Sequence, residues 1–204
     1  MPVEFCLMFM KAALEVLDQH GIEPTAIHQW TDGCAGQYKG KNAFHDISKT
    51  TLPFQRNFFT TSHGKNVCDG LGAVVKNMAM RHVMGHKIIA NAEDMFQFCC
   101  SIVAQEAKVM TKPGQEPYIS IRQFVYVDAS TVQRDRPEVR TFTGTWKLHA
   151  VQATGTSLEL RTRNLSCYCP SCVTGNWQNC VNKEYVGPWE TKQIQLVAKK
   201  FSFF

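Results

Sequence analysis

No apolar run in the 204-residue sequence approaches the roughly 18 residues of a membrane-spanning helix, so no helical membrane span is expected. Charge is scarce too. Asp, Glu, Lys and Arg make up 19% of the chain, below the roughly 25% of ordinary globular domains. With 44% hydrophobic residues, that shortage excludes an extended disordered chain and leaves enough for a buried core. The basic excess is only +5 and no long Lys/Arg block occurs, so the balance suits contact with a polyanion without demonstrating it. Internal repeats and low-complexity tracts are absent. The opening MPVEFCLMFMKAALEVLDQHG carries Glu4 and Glu15, has no basic leader and offers no small-residue cleavage site. It reads as a core helix and not as a secretory signal. Without a signal, the nine cysteines point to a reducing intracellular compartment, where thiols serve as core residues or metal ligands.

Helical spacing over residues 3–18 places Val3, Leu7, Met10, Leu14 and Leu17 on one face, with Phe5, Phe9 and Val16 on a second flank. This helix is expected to be covered on most sides, and Gly21 and Pro24 end it. A short strand over 26–31 follows, then a loop at Asp32 and a polar, partly helical stretch to about residue 50. Arg56-Asn57-Phe58-Phe59-Thr60-Thr61 reads as a second strand, after Pro53. SHGKNVCDG leads into a helix with Leu71, Val74, Val75, Met78 and His82 at helical spacing. Another helix starts after Asn91, an N-cap with Glu93 and Asp94 in the first turn. TKPGQEP (111–117) reads as a linker, beyond which YISIRQFVYV, TFTGTWKLHAV and SLELRTRNLSCYC alternate like antiparallel strands.

Two aspartates invite a metal reading. Asp32 ends a strand, and Asp69 opens the helix that follows the next strand. If these ends lie together, their carboxylates suit a hard cation such as Mg2+ or Mn2+. Each is also part of an Asp-Gly pair, a common turn dipeptide, and spacing alone favours the turn.

The wording of the two stretches adds to this. WTDGCAGQYKGKNAF and RNFFTTSHGKNVCDGLGAVVKN resemble transposase-like ribonuclease-H-fold proteins of animal mobile elements. Those proteins carry W-[ST]-D-G-x-x-x-Q-[YF]-K and then N-F-F-x-T-S-H-G-K-x-x-x-D. The likeness runs from about residue 26 to 189, through RNLSCYCPSCVTGNWQNC and YVGPW. It implies a DDE/D-type core with Asp32 as the second metal-binding acid and Asp69 as the third. Glu93 and Asp94 are better explained as helix-dipole residues. His63 and Lys65, in the loop before Asp69, are candidates to hold a phosphate. Tyr38, Lys39 and Lys41 are candidate DNA-backbone contacts, against the plainer reading of a solvated loop.

One departure bears on activity. A DDE/D fold opens with a β-meander carrying its first acid, whereas this chain opens with a helix. Asp18 lies on that helix and Asp46 in the stretch between motifs, so the first acid is expected to be missing. A sheet lacking those strands has an open edge, and a partner, a homo-oligomer or a missing N-terminal segment is expected to cover it. The ending KKFSFF supports the fragment reading.

Four of the nine cysteines fall within fourteen residues, Cys167, Cys169, Cys172 and Cys180, in the pattern C-x-C-x2-C-x7-C. That set suits a structural tetrahedral Zn2+, with Cys-Pro-Ser-Cys as the knuckle turn. Disulfides compete, and the missing signal argues against them. His149 is a substitute ligand, unless it is satisfied locally. Cys6, Cys34, Cys68, Cys99 and Cys100 share no spacing and read as core or loop thiols.

The expected fold is therefore α/β. A partial RNase H-like core lacking its first β-meander occupies residues 1–110, and a β-rich zinc-binding module occupies 111–204. The expected function is a transposase- or integrase-like polynucleotidyl transferase fragment acting on DNA and inactive alone. The alternative is a non-catalytic DNA- or protein-binding remnant stabilised by zinc. A nuclear location follows only from the DNA reading.

Overall fold

The computed structural model describes residues 3–34, 36–59, 67–104, 108–111, 113–114, 116–120, 122–132 and 134–197. It is a mixed α/β structure in two compact units, one formed by residues 1–64 and 130–204 and the other by 65–129. The expected boundary after residue 110 lies inside the second unit.

The first unit opens with α1 (Val3–Gln19), which stops where Gly21 takes φ +68 and donates to the Asp18 carbonyl. The helix is not covered on most sides: Cys6 is buried, but Phe9 is 43% exposed. β1 (Ile27–Thr31), α2 (Lys41–Ser48) and β2 (Phe54–Phe58) follow. β1 and β2 pair in parallel, which requires a crossover, and α2 lies within it. From the second half of the chain, β6 (Ala150–Ala153), β7 (Glu159–Arg163) and β8 (Glu190–Gln193) add antiparallel strands. The sheet order is β1-β2-β6-β7-β8, so these later strands extend the sheet of β1 and β2 instead of building one of their own. A small pair, β5 (Val139–Arg140) with β9 (Gln195–Leu196), completes the unit.

Strand alternation divides the sheet into two unlike faces. Phe54, Phe58, Val151 and Leu160 point to one side and meet Phe44 and Ile47 of α2, with Val139, Leu148 and Ile194 closing the core. Phe44 and Leu160 have no exposed surface. Burial of such side chains contributes about 1.5–3 kcal/mol each, and Phe44→Ala would cost about 3–5 kcal/mol. Arg56 also lies on this side. Its Nε donates to Gln29 Oε1 at 2.7 Å, and its guanidinium lies 5.5 Å from the Tyr38 ring and 5.6 Å from the Phe54 ring. Burial lowers its pKa to about 10. The opposite face is polar and carries the site described below.

In the second unit, α3 (Val67–Met84) contributes Val75, Met78 and Ala79 to a small core. Its buried members are Phe98, Cys99 and Val103, from α4 (Ala92–Phe98) and the π-helical turn that continues it, and Ile89, Met95 and Phe124 pack against them as well. Asn91 caps α4 as expected, its side chain accepting from the Asp94 amide at 2.9 Å, while Asp94 accepts from the Ala90 amide. The expected linker 111–117 joins β3 (Lys108–Met110) to β4 (Tyr118–Ser120), two strands of one antiparallel pair. Its Pro-Gly chemistry belongs to a hairpin loop, with Gly114 at φ +76.

Candidate metal centre

The cysteine cluster assembles at the end of β7. Cys169 starts the short helix α5 (Pro170–Val173), whose first residue is proline, and the Cys172 and Val173 amides both return to the Cys169 carbonyl. Gly175 at φ +82 reverses the chain, and the turn Trp177–Asn179 delivers Cys180. The four sulfurs of Cys167, Cys169, Cys172 and Cys180 lie within 4.8 Å of one another. Among the described residues they are the one group of three or more potential ligands so arranged.

The distances decide between the sequence-level alternatives. Cys167 Sγ and Cys180 Sγ are 3.7 Å apart, far beyond a disulfide bond of about 2.05 Å. Four sulfurs around a tetrahedral ion at about 2.3 Å would be about 3.8 Å apart. All nine cysteines are thiols. The Cys172 amide donates to Cys169 and draws that thiol down to about 7. Burial pushes Cys172 up to about 12 against the hydrogen bond from Arg163, and burial raises Cys180 against the Asn182 amide. The amides and the guanidinium favour the thiolate form and burial opposes it, so the fit to an ion rests on the sulfur spacing. The residues therefore fit a metal ion such as zinc.

The module is fastened to the polar face of the sheet. Arg163 of β7 donates from Nη2 to Cys172 Sγ at 3.3 Å and from Nε to the Gly187 carbonyl at 2.9 Å, and it lies over the Trp189 ring. Asn57 of β2 is wholly buried. Its Nδ2 donates to the Tyr168 hydroxyl at 2.6 Å and its Oδ1 accepts from Ser166 at 2.7 Å. Gln55 Nε2 donates to Asn57 Oδ1 and to the same hydroxyl. With two donors entering it, the Tyr168 hydroxyl gives its own proton to His28 Nδ1, 3.1 Å away. Asn57, Arg163, Ser166 and Tyr168 were not singled out as site residues, although Asn57 opens the N-F-F motif and the other three lie in RNLSCYC, so the resemblance was the available signal.

Residues 3–166 match the family model described as Domain of unknown function (DUF8701). The chain belongs to that family. No curated protein and no solved structure matches it. The DUF8701 match stops one residue before Cys167, so it includes Asn57, Arg163 and Ser166 but none of the four cysteine ligands.

The remaining candidates occupy varied settings. Asp32 follows β1 directly and is exposed, with Oδ1 accepting from the Cys34 amide at 3.1 Å in the turn expected of Asp-Gly. Asp69 stands in the first turn of α3, in the second unit. His63 and Lys65 lie outside the described residues. Lys39 is not on a solvated loop face: it is 8% exposed, donates to the Trp146 carbonyl at 3.0 Å and sits over the Phe58 ring. Burial lowers its pKa. Lys41 is exposed, and Tyr38 packs against the core. His149 is not among the clustered ligands, since its Nδ1 pairs with the Phe58 carbonyl at 3.0 Å. Asp46 pairs with both oxygens to Arg136, at 2.8 and 2.9 Å.

Proposed function

We propose that the chain is a zinc-stabilised, DNA-binding module of transposase-like descent that is not catalytic by itself. The observation that carries this reading is the ligand set. Among the described residues, only the four cysteines converge, and a closed site of four thiolates is structural in character. The descent is supported by the carriers of the two acids. Asp32 leaves the C-terminal end of a strand in a parallel pair, and Asp69 opens the helix that follows the second strand of that pair. The +5 charge supports a polyanionic partner, and a nuclear location follows from DNA binding alone. At the end of the sheet, β1 pairs among the described residues with β2 alone, which supports a further chain segment or second copy at that edge.

The second reading is a divalent-metal polynucleotidyl transferase in which Asp32 and Asp69 hold Mg2+ or Mn2+. It needs a carboxylate beyond these two. Purified zinc-loaded protein is assayed on plasmid and oligonucleotide DNA with Mg2+ or Mn2+, in parallel with retention on DNA at rising salt. Salt-sensitive retention without cleavage is the expected result. Turnover abolished by Asp32→Ala would replace the binding reading with the enzymatic one, and no retention at low salt would defeat the DNA reading.

A further inference from the structure

On the sheet face opposite the core, the strand register sets His28, Gln55, Gln152, Arg161 and Thr191 in one row across all five strands. Every member is polar and none is acidic. His28, Arg161 and Thr191 are exposed, and the two glutamines are half-buried. The Gln152 amide and the Arg161 guanidinium have no hydrogen-bond or ion-pair partner among the described residues, so a ligand would meet them unengaged. With Nδ1 held by Tyr168, His28 keeps its proton on Nε2 as a further donor.

The next row begins at Trp30 and then passes beneath the cysteine module. Trp30 is 46% exposed and Tyr168 is 40% exposed. The indole stacks on Phe59 with centroids 5.4 Å apart and 29° between planes, and its other neighbour is Tyr168 at 5.9 Å. The Tyr168 ring in turn meets His28 edge-on at 5.3 Å. A braced, solvent-facing aromatic ledge therefore borders a row of hydrogen-bonding groups whose only full charge is positive. A duplex hides its base faces within the stack, whereas an unpaired strand offers flat π-surfaces, polar base edges and phosphates together.

We propose that this face binds single-stranded DNA. A base stacks on Trp30 and Tyr168, base edges meet Gln152 and His28, and Arg161 faces the phosphate backbone. Tyr168 sits between two ligands of the cysteine site, so filling that site with metal sets the ledge. The proposal rests on the DNA-binding reading above and names the form of DNA.

The test is fluorescence anisotropy of the zinc-loaded full chain with a labelled thymidine strand of about twelve nucleotides, and with a duplex of equal length. The single strand is expected to bind more tightly. Trp30→Ala should weaken it by about tenfold or more and Trp30→Phe by much less, while Arg161→Gln weakens it several-fold and flattens its salt dependence. Unchanged melting shows that a variant is folded, and if Trp30→Ala is not, Arg161→Gln decides. Single-strand affinity indifferent to these variants, or a preference for duplex, overturns the proposal and leaves the DNA reading standing. Failure of the wild-type chain to bind either oligomer at low salt overturns both.

Discussion

The Asn57 amide and the Tyr168 hydroxyl meet at 2.6 Å across 111 residues of sequence, joining β2 of the sheet to the cysteine module. Removing Asn57 weakens several contacts at once and opens a buried hole: Tyr168 and Gln55 lose a shared partner, and Ser166 is left with the His149 carbonyl alone. Each buried group left unsatisfied costs about 1–3 kcal/mol. Asn57→Ala is therefore expected to destabilise the fold by about 3 kcal/mol, a melting shift of roughly 10 °C in a chain of this size. Tyr168→Phe keeps the ring and should cost about 1–2 kcal/mol. Thermal melts of the two variants at one zinc concentration check the ranking, and equal shifts would disprove it.

Metal removal should act on the whole first unit. Native mass spectrometry is expected to find one zinc per chain. A strong chelator, or Cys172→Ser, should then lower the melting temperature, because bound metal contributes directly to folding free energy. Cys34→Ser is the control, since Cys34 is exposed and outside the cluster. Zinc-free protein with an unchanged melt would refute the assignment.

Arg163 is expected to govern how tightly the metal is kept. It donates to a ligand sulfur and to a backbone carbonyl through different nitrogens of one rigid fork. The single ammonium of Arg163→Lys cannot span both acceptors, so lysine should not rescue the loss seen in Arg163→Met. Loss of such supporting contacts typically lowers metal affinity about 10- to 100-fold. Competition with a chromophoric chelator measures it, and wild-type affinity in Arg163→Met would show the contact to be incidental.

His45 gives the stability a pH dependence of definite sign. Burial first, then the positive charges of Lys49 and Arg136, hold its pKa below the ordinary 6.5. The folded state therefore favours the neutral ring, and the unfolded state binds the extra proton more readily. Stability from this group is complete above about pH 6.5 and declines as pH falls toward the folded value. In melts from about pH 7.5 to about pH 5, His45→Gln should lose less stability than the wild type. Parallel curves would rule out this source.

How far the sequence was legible follows from the range of each signal. The four cysteines were readable because all the information lies within fourteen residues, and Asn91 because a cap is decided by its own turn. The first helix was readable from its spacing and β1 from its short run, while the second strand, expected from Arg56, begins two residues earlier at Phe54. The merging of β6, β7 and β8 into the sheet of β1 and β2 was not readable, since strand alternation states that a strand exists and not which edge it joins. Lys39 was misplaced for a similar reason. A lysine in a Gly-rich loop looks solvated until the Trp146 carbonyl and the Phe58 ring arrive from distant parts of the chain. Asn57 was visible as a motif letter, but its role was not, since its partners Tyr168 and Ser166 lie more than a hundred positions away.

The separation of these ranges has a kinetic consequence. Cys167 and Cys180 are 13 positions apart, whereas the Tyr168 hydroxyl reaches partners 111, 113 and 140 positions away. Closing the short loop costs little chain entropy and is fast, while the distant pairings wait on the slow assembly of a sheet built from both ends of the chain. The knuckle can thus capture its ion on a chain that is still largely open, and the Tyr168 side chain is then presented as a preformed plug for the gap around Asn57. A metal supplied during synthesis, and not only during storage, is then expected to raise the yield of native protein.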